Sequence, residues 1–598
     1  MSGIAAPAAR TPPADRLGWR PVRLFVTALA FYAVFVARTA FRLDGRIAFT
    51  LFDDAMISMT YARNLARGHG LVWNAGGPAV EGISNPLWSV SMAVPHLLGV
   101  SEELAPLYVT VTGAALLLGC ACCAHALVRR LEPARPSAAV GAAWIVAFCY
   151  PLVYWTLRGM EVGLLTLLVL AGALLAVRFR DERSPRDAAL LALVCVVGVS
   201  TRLDFAVYVL TILVYLVAVE RAAAAWVGGA TAVALALQEI WRVATYGDVV
   251  PNTNRLKVEG VSMLTRIDRG ARGVLHLAVT SLAVVLVCAA VAAWRRRRAH
   301  GAALVVALAG ASAAYSVWVG GDAWEWMRYA NRYLTPAVVL ACCLAAIGAW
   351  DLAERLRMRP RTGVALGGAA GVLAAVVALD LPPGGELLFP RGVPTGVTGA
   401  ALVPVLFALA TLRAALASYT TPAPSTRCLA VTLAFTVGAA VSLPPTLHWL
   451  EHGPVQADED AAFARYGRAL RSVTTEDASI AVVVAGAPIY YSDRTGIDFL
   501  GKSDPDVARL PLRDDVAFWP GHSKWDHAMT VRAHRPDVVA QLRMPTQEEL
   551  QVLERLGYVE AGFAPALVRR FGIAPRLYVQ RDSSHVRWGA LVPIGNGP

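Results

Sequence analysis

Asp53 and Asp54 stand side by side in FTLFDDAMISMTYARNLARGHGLVWN (residues 49–74), about a dozen residues after the first long apolar run. Adjacent carboxylates repel one another and resist burial, so such a pair belongs in water or at a working site. At a working site, one aspartate acts as general base on an acceptor hydroxyl. Its neighbour holds an acceptor, orients the first, or helps bind a cation. The bland alternative is a hydrated pair that ends a membrane span, and spacing alone does not separate the two.

Further residues of the kind that grip sugars and phosphates recur along the chain. GHGLVWNAGGPAVEGISNPLW (68–88) carries Glu81, Asn85 and Trp88 among its glycines. Glycines permit tight turns around a ligand, and a carboxylate beside an aromatic ring suits a sugar. The alternative is a flexible loop with an interfacial tryptophan. Arg202 and Asp204 come just after an apolar segment, and Glu161 lies just inside another with Arg158 one turn earlier. Charges there are costly unless paired or facing a cavity, so structural pairing competes with a binding role. Arg255 and Lys257 follow PNTN, and Arg328 and Arg332 flank Tyr329 and Asn331 just before another span. Fixed cations at this depth would hold a lipid phosphate and stabilise its departure; ordinary snorkelling at a membrane edge is the alternative. Near the C-terminus, PGHSKWDH (520–527) offers His522 and Lys524 as phosphate or sugar contacts. The spacing of His522, Asp526 and His527 matches no strong ligand set, so no metal site is assigned.

The elements that must position these residues follow from composition. The chain has 598 residues, 56% hydrophobic and only 16% charged, with a mean hydropathy of +0.51. A soluble chain would carry roughly a quarter charged residues, so a polytopic helical membrane protein is expected. The net charge of +12 does not indicate nucleic-acid binding, because the cations cluster in short loops between apolar runs and no basic, aromatic-rich module exists. All nine cysteines fall in or beside apolar segments, which argues against a disulfide framework or a thiolate zinc site. Residues 1–21 are expected to be a disordered cytoplasmic tail. A membrane domain follows over 22–449, with a first outer loop over 42–103.

About thirteen spans are expected. After the first run they lie near 104–128, 138–156, 160–178, 187–200, 205–219, 223–241, 274–294, 301–319, 333–352, 362–380, 397–416 and 428–447. With the N-terminus inside, the clusters at Arg129–Arg135, Arg178–Arg186, Arg295–Arg298 and Arg355–Arg361 all fall on the cytoplasmic side. Residues 85–100, with Pro86 and Pro95, are read as an interfacial or re-entrant helix. The same threading puts every unusual polar motif on the outer face, together with a charged region over 450–598. Its β-rich stretches and the helical TQEELQVLERLG suggest a small extracytoplasmic α/β domain.

FDDAMIS, YARNLARGHGLVWN and EGISNPLW resemble the first outer loop of GT-C glycosyltransferases of the actinobacterial AftB arabinofuranosyltransferase family, where D-D-A-Y-I-S and E-G-Y-T-N-x-L-W are expected. RGMEVGL is similar to the family's G-L-E-T, TRLDF to T-R-P-D-G, and PNTNRLK to P-N-T followed by Lys. GGDAWEWMRYANRYLTP resembles G-G-D-W with an Arg before the next span, and YYSDRTGIDFLG with PGHSKWDH resembles D-x-x-G-L and G-H-x-K. The order holds from residue 51 to about 540. The resemblance implies a plasma-membrane enzyme that moves a sugar, with arabinofuranose the first candidate, from a polyprenyl-phosphate donor to a cell-envelope glycan on the outer face. It implies Asp53 or Asp54 as the catalytic carboxylate, and adds Asn252, Asp322 and Asp493 to the substrate-binding residues named above. Its partners would be the lipid donor, the acceptor glycan and the bilayer. No cofactor is called for, with a divalent cation left open.

Met56, Ile83 with Ser84, and Leu203 depart from the family pattern. The nearest rival is a GT-C mannosyl- or hexosyltransferase acting on lipopolysaccharide, glycolipid or protein. A lipid-glycan transporter would instead carry paired repeats and polar residues at mid-membrane.

Overall fold

The computed structural model describes residues 21–359 and 426–594, apart from 328 and 330, with scattered positions between 361 and 416. The expected N-terminal tail, Arg328 and nearly all of the segments 362–380 and 397–416 lie outside the described residues. Every other expected span is helical.

The described membrane helices are α1 (Pro21–Ala37), α4 (Ala105–Leu131), α5 (Pro136–Ala147), α6 (Tyr150–Leu157), α7 (Val162–Glu182), α8 (Pro185–Thr201), α9 (Ala206–Val219), α10 (Arg221–Tyr246), α12 (Met263–Thr280), α13 (Ala283–Arg295), α14 (His300–Val319), α15 (Thr335–Met358) and α16 (Thr426–His452). Six of them (α4, α7, α10, α14, α15 and α16) are long and apolar enough to cross a membrane, and up to eight spans result if each bent pair is one span. One bent pair is α5 with α6, at 45°. Pro151, in the first turn of α6, has no N–H to continue the ladder from α5.

The other pair changes the expected picture. Residues 274–294 do not form one straight span: α12 and α13 meet at 89°. Arg266, Asp268, Arg269 and Arg272 charge the first half of α12, which suits that half to the membrane edge rather than to hydrocarbon, and the chain turns at Ser281–Leu282 before α13. The first outer loop opens with an antiparallel pair, β1 (Phe41–Leu43) and β2 (Arg46–Ala48), and its residues 86–97 form a 12-residue helix, α3, which at 1.5 Å per residue is too short to span.

Helix α15 lies at the centre, with 89% of its apolar window buried, whereas α10 is 22% buried and forms a rim. At the far end of α15, Asp351 pairs with Arg135 (2.7 Å), Arg295 (3.2 Å) and Arg296 (2.5 Å). Glu132 and Glu354 complete this network. Two of the arginine clusters expected on one face, Arg129–Arg135 and Arg295–Arg298, therefore meet at one end of the bundle.

Residues 457–593 build a helix α17 (Ala457–Val473) and a six-stranded sheet of order β4-β3-β5-β7-β6-β8. Strands β3 (Ser479–Val482), β4 (Thr495–Asp498) and β5 (Val538–Val539) run parallel. Strands β6 (Tyr558–Phe563), β7 (Arg576–Gln580) and β8 (Leu591–Pro593) continue antiparallel. The helix expected over 546–557 appears as Gln547–Arg555, started by a capping box between Thr546 and Glu549.

This α/β region is locked onto the loop that carries the aspartates. Asn74 exchanges two hydrogen bonds with the Gly496 backbone (2.8 and 2.9 Å). Arg63 and Arg67 pair with Asp493 (3.1 and 2.8 Å), and Arg158 pairs with Asp460 where both are fully buried.

Candidate active site

Helix α2 (Asp53–Ala66) begins at the two aspartates, and they point to different places. Asp53 accepts hydrogen bonds from the backbone N–H groups of Gly486 (3.2 Å) and Ala487 (2.8 Å), at the start of a short helix α18 (Ala487–Ser492). A Cβ at position 486 would come within 2.0 Å of the Asp53 carbonyl oxygen, so only glycine admits this approach. Asp53 is thus a strut between the membrane domain and the α/β region. Burial pushes its carboxyl up to about 6, against the pull of Lys502 and the two amides.

Asp54 faces a small cavity of about 60 Å³, partly open to solvent. Its Oδ2 accepts from Arg332 (2.8 Å) and its Oδ1 from Lys502 (2.7 Å). Burial alone would raise its pKa, but Lys502 and Arg332 outweigh it and hold the carboxyl well below the usual range. Asp54 is therefore the more acidic member of the pair and stays ionised well below the pH at which Asp53 takes up its proton.

The cavity gathers segments far apart in sequence. Arg202 leaves the end of α8. Helix α11 (Asn252–Val258) presents Thr253, Leu256 and Lys257 at spacings of three and four, one helical face. Arg332 precedes α15, Asn85 immediately precedes α3, and Lys502, Gly521 and His522 come from the α/β region. Lys502 follows strand β4 and Gly486 follows β3, so both contributions come from the carboxyl ends of parallel strands, where α/β sheets commonly place ligands.

Behind the cations stands a shell of carboxylates. Asp322 grips Arg332 through Nε (2.8 Å) and Nη2 (2.7 Å), leaving Nη1 for Asp54. Glu161 (2.5 Å) and Asp204 (2.5 and 2.9 Å) hold Arg202, and Asn85 donates to Glu161 at 2.7 Å. Lys257 donates to the Tyr333 hydroxyl at 2.8 Å. His522 lies against the rings of Trp324 and Trp519. Burial, and then the charge of Lys502, push His522 down to about 3, so it is a neutral imidazole at physiological pH. Four cations thus face the cavity with their counter-charges largely behind them, which suits an anionic ligand.

Several expected site residues do other work. Glu81 turns away and pairs with Arg242 (2.6 Å), tying the outer loop to α10. Trp88 is 3% exposed, and its Nε1 donates to the Gly159 carbonyl, so the ring is core rather than a sugar platform. Asn252 is buried at the start of α11, where its backbone N–H meets the Glu81 carbonyl. Asp493 belongs to the arginine clamp on α2, and Lys524 donates to the Ala508 carbonyl (3.0 Å), stapling its own loop. Glu161, Asp204 and Asp322 support cations rather than line the main cavity. Among the described residues no group of three His, Cys, Asp or Glu side chains converges as a metal-ligand set.

Lys502 was missed by sequence reasoning, although it lies one residue beyond the YYSDRTGIDFLG motif. Strand β4 ends at Asp498, whose carboxylate accepts from the Leu500 and Ser503 amides and so shapes the turn that aims Lys502.

Comparison with known proteins adds the fold. Residues 454–582 match the model of a domain of unknown function, DUF8728. No curated protein matches the chain. The structure of ArnT from Cupriavidus metallidurans bound to undecaprenyl phosphate is similar with a TM-score of 0.52 at 15% identity, over 82% of this chain and 89% of that one. The apo form gives 0.50 at 14% identity, over 82% and 88%. The oligosaccharyltransferase from Archaeoglobus fulgidus in its apo form gives 0.47 at 10% identity, over 97% and 77%. The chain shares the polytopic helical fold of ArnT, with a C-terminal α/β region. At these identities the likeness to ArnT is one of fold, and function has to be argued from the cavity.

Proposed function

We propose that this protein is a membrane glycosyltransferase that takes a sugar from a polyprenyl-phosphate donor and passes it to a glycan hydroxyl at the outer membrane face. The observation that carries the reading is a single ionised carboxylate, Asp54, set in a cavity otherwise lined by Arg202, Lys257, Arg332 and Lys502. That combination offers a phosphate its cations and an acceptor hydroxyl its base, in one cleft. The fold it shares with ArnT supports a lipid donor, since that protein is known in complex with undecaprenyl phosphate.

In this mechanism the donor phosphate sits between Lys257, Arg202 and Arg332, while its prenyl chain runs between helix ends. A second, smaller cavity, lined by Leu165, Phe205, Val207 and Pro336 together with Glu161 and Asp204, adjoins the first through the shared Arg202 and Arg332. The acceptor oxygen attacks the anomeric carbon as Asp54 takes its proton. Polyprenyl phosphate departs with the bonding electrons, and the fixed cations meet the charge that develops on it. The α/β region closes the cavity and contributes His522 and Lys502.

The resemblance to the arabinofuranosyltransferase family supports arabinofuranose as the sugar. A hexose is the second reading, and one observation favours it: Ile83 and Ser84, which stand where that family has Tyr-Thr, line the cavity wall. Purified protein is to be offered polyprenyl-phosphate arabinose and polyprenyl-phosphate mannose separately, with arabinan and mannan acceptors. Transfer from one donor is expected and names the sugar. Absence of both transfer and lipid binding would contradict the proposal.

A further inference from the structure

Of the four cations lining the cavity, three are anchored by partners other than Asp54. Arg202 has Glu161 and Asp204, Arg332 has Asp322, and Lys257 has the Tyr333 hydroxyl. Lys502 differs: among the described ion pairs its one partner is Asp54. With Lys502 on Oδ1 and Arg332 on Oδ2, both oxygens of Asp54 are covered by cations, and a carboxylate so covered is a poor proton acceptor. The residue type matters too. The sequence contains three lysines (Lys257, Lys502 and Lys524) among 55 lysines and arginines, and two of the three line this cavity. Arginine's planar fork suits a fixed bidentate grip, as Asp322 exerts on Arg332, whereas lysine is a point charge on a flexible stem that can change partners.

We propose that Lys502 is a shared cation: it covers Asp54 while the donor is absent, moves onto the donor phosphate when it binds, and so uncovers Asp54 Oδ1 for the acceptor hydroxyl. The inference rests on the reading of the cavity as a lipid-phosphate-sugar site, and adds to it an order of events in which the donor binds before the base is active. The acceptor O–H then gives its proton to Asp54 Oδ1 and its oxygen bonds to the anomeric carbon. The bond from that carbon to the phosphate oxygen breaks, its electron pair leaves with the phosphate, and Lys502 and Lys257 balance the added charge. The groups that face Asp54 are Asp53 beside it, Arg332 from the loop before α15, and Lys502 and His522 from the α/β region. With His522 neutral and Arg332 clamped by Asp322, Lys502 is the cation whose departure changes the basicity of Asp54. The region matched by DUF8728 thereby supplies a moving part of the site rather than a passive cover.

The test is binding of undecaprenyl phosphate to the full-length protein in nanodiscs at pH 7, which needs no knowledge of the sugar. Lys502→Met is expected to weaken binding tenfold or more. Asp54→Asn is expected to tighten it severalfold or more, because the competing anion is gone and two buried cations are left for the phosphate to neutralise. The double variant Lys502→Met/Asp54→Asn is expected to lose most of that gain. Asp54→Ser, checked alongside for a monodisperse elution profile, should tighten binding in the same direction, so the result does not depend on one variant folding. If Asp54→Asn and Asp54→Ser bind no better than wild type while Lys502→Met binds worse, Lys502 is a phosphate ligand but not a shared one, and the inference falls while the transferase reading stands. No binding by the wild type would overturn both.

Discussion

The two ends of α15 carry two ion networks of opposite design. Thr335 and Asp351 are roughly 24 Å apart along the helix at 1.5 Å per residue, close to the thickness of a bilayer core. At one end Asp351, fully buried, sits at the centre with Arg135, Arg295 and Arg296 around it and Glu132 and Glu354 at the rim. There the anion is innermost and the cations close over it. At the other end the order is inverted. Glu161, Asp204 and Asp322 stand behind, and Arg202, Arg332 and Lys502 look into a cavity with Asp54 in their midst. Each network is near balance, so net charge does not distinguish them. A network that ties helix ends together hides its charge, whereas one that binds a ligand leaves its charge pointing into space.

The contrast breaks if the Asp351 network proves functional. Asp351→Asn leaves three arginines around a neutral core and is expected to destabilise the protein by about 3 kcal/mol. Thermal unfolding followed by tryptophan fluorescence reads this, and undecaprenyl phosphate affinity of the folded fraction should stay unchanged. A smaller effect is expected from Asp322→Asn, which loosens Arg332 without removing it. Sugar transfer should fall about 10–100-fold, the scale on which outer-shell partners act, with little change in melting temperature. The smallest effect concerns Asp53. Because burial holds its carboxyl near 6 in the folded state, against an ordinary 3.8, the native state binds the extra proton between those values. Its ionised form costs stability above about pH 6, and that cost is relieved as pH falls toward 4. The melting-temperature difference between Asp53→Asn and wild type should therefore favour the variant more at pH 7 than at pH 5. A difference that does not change with pH would contradict the raised Asp53 carboxyl.

Much of this was legible in the sequence, for definite reasons. Apolar run lengths and arginine clusters located the helices because hydrocarbon imposes both. The polar motifs of the first loop, Arg202, Lys257 and Arg332 were recognised as one site because they fall on one side of the threading. What stayed hidden was side-chain direction. Neighbouring positions in a helix point about 100° apart, so Asp53 and Asp54 could not be told apart until Gly486 and Lys502 were in place. Glu81 and Trp88 looked like sugar ligands, but their partners Arg242 and Gly159 are distant in sequence. The right angle between α12 and α13 was masked by a continuous apolar run over 274–294. Lys502 did leave a trace: in a chain that meets almost every need for positive charge with arginine, each of three lysines invited a question.

The central claim is that Asp54, not Asp53, serves the reaction. Once the donor is known, initial rates of sugar transfer by Asp54→Asn and Asp53→Asn, measured with donor bound to saturation, test it directly. Loss of about 10²–10⁴-fold in Asp54→Asn is predicted, with Asp53→Asn keeping at least about a tenth of wild-type turnover. The reverse ranking, or full turnover by Asp54→Asn, would contradict it.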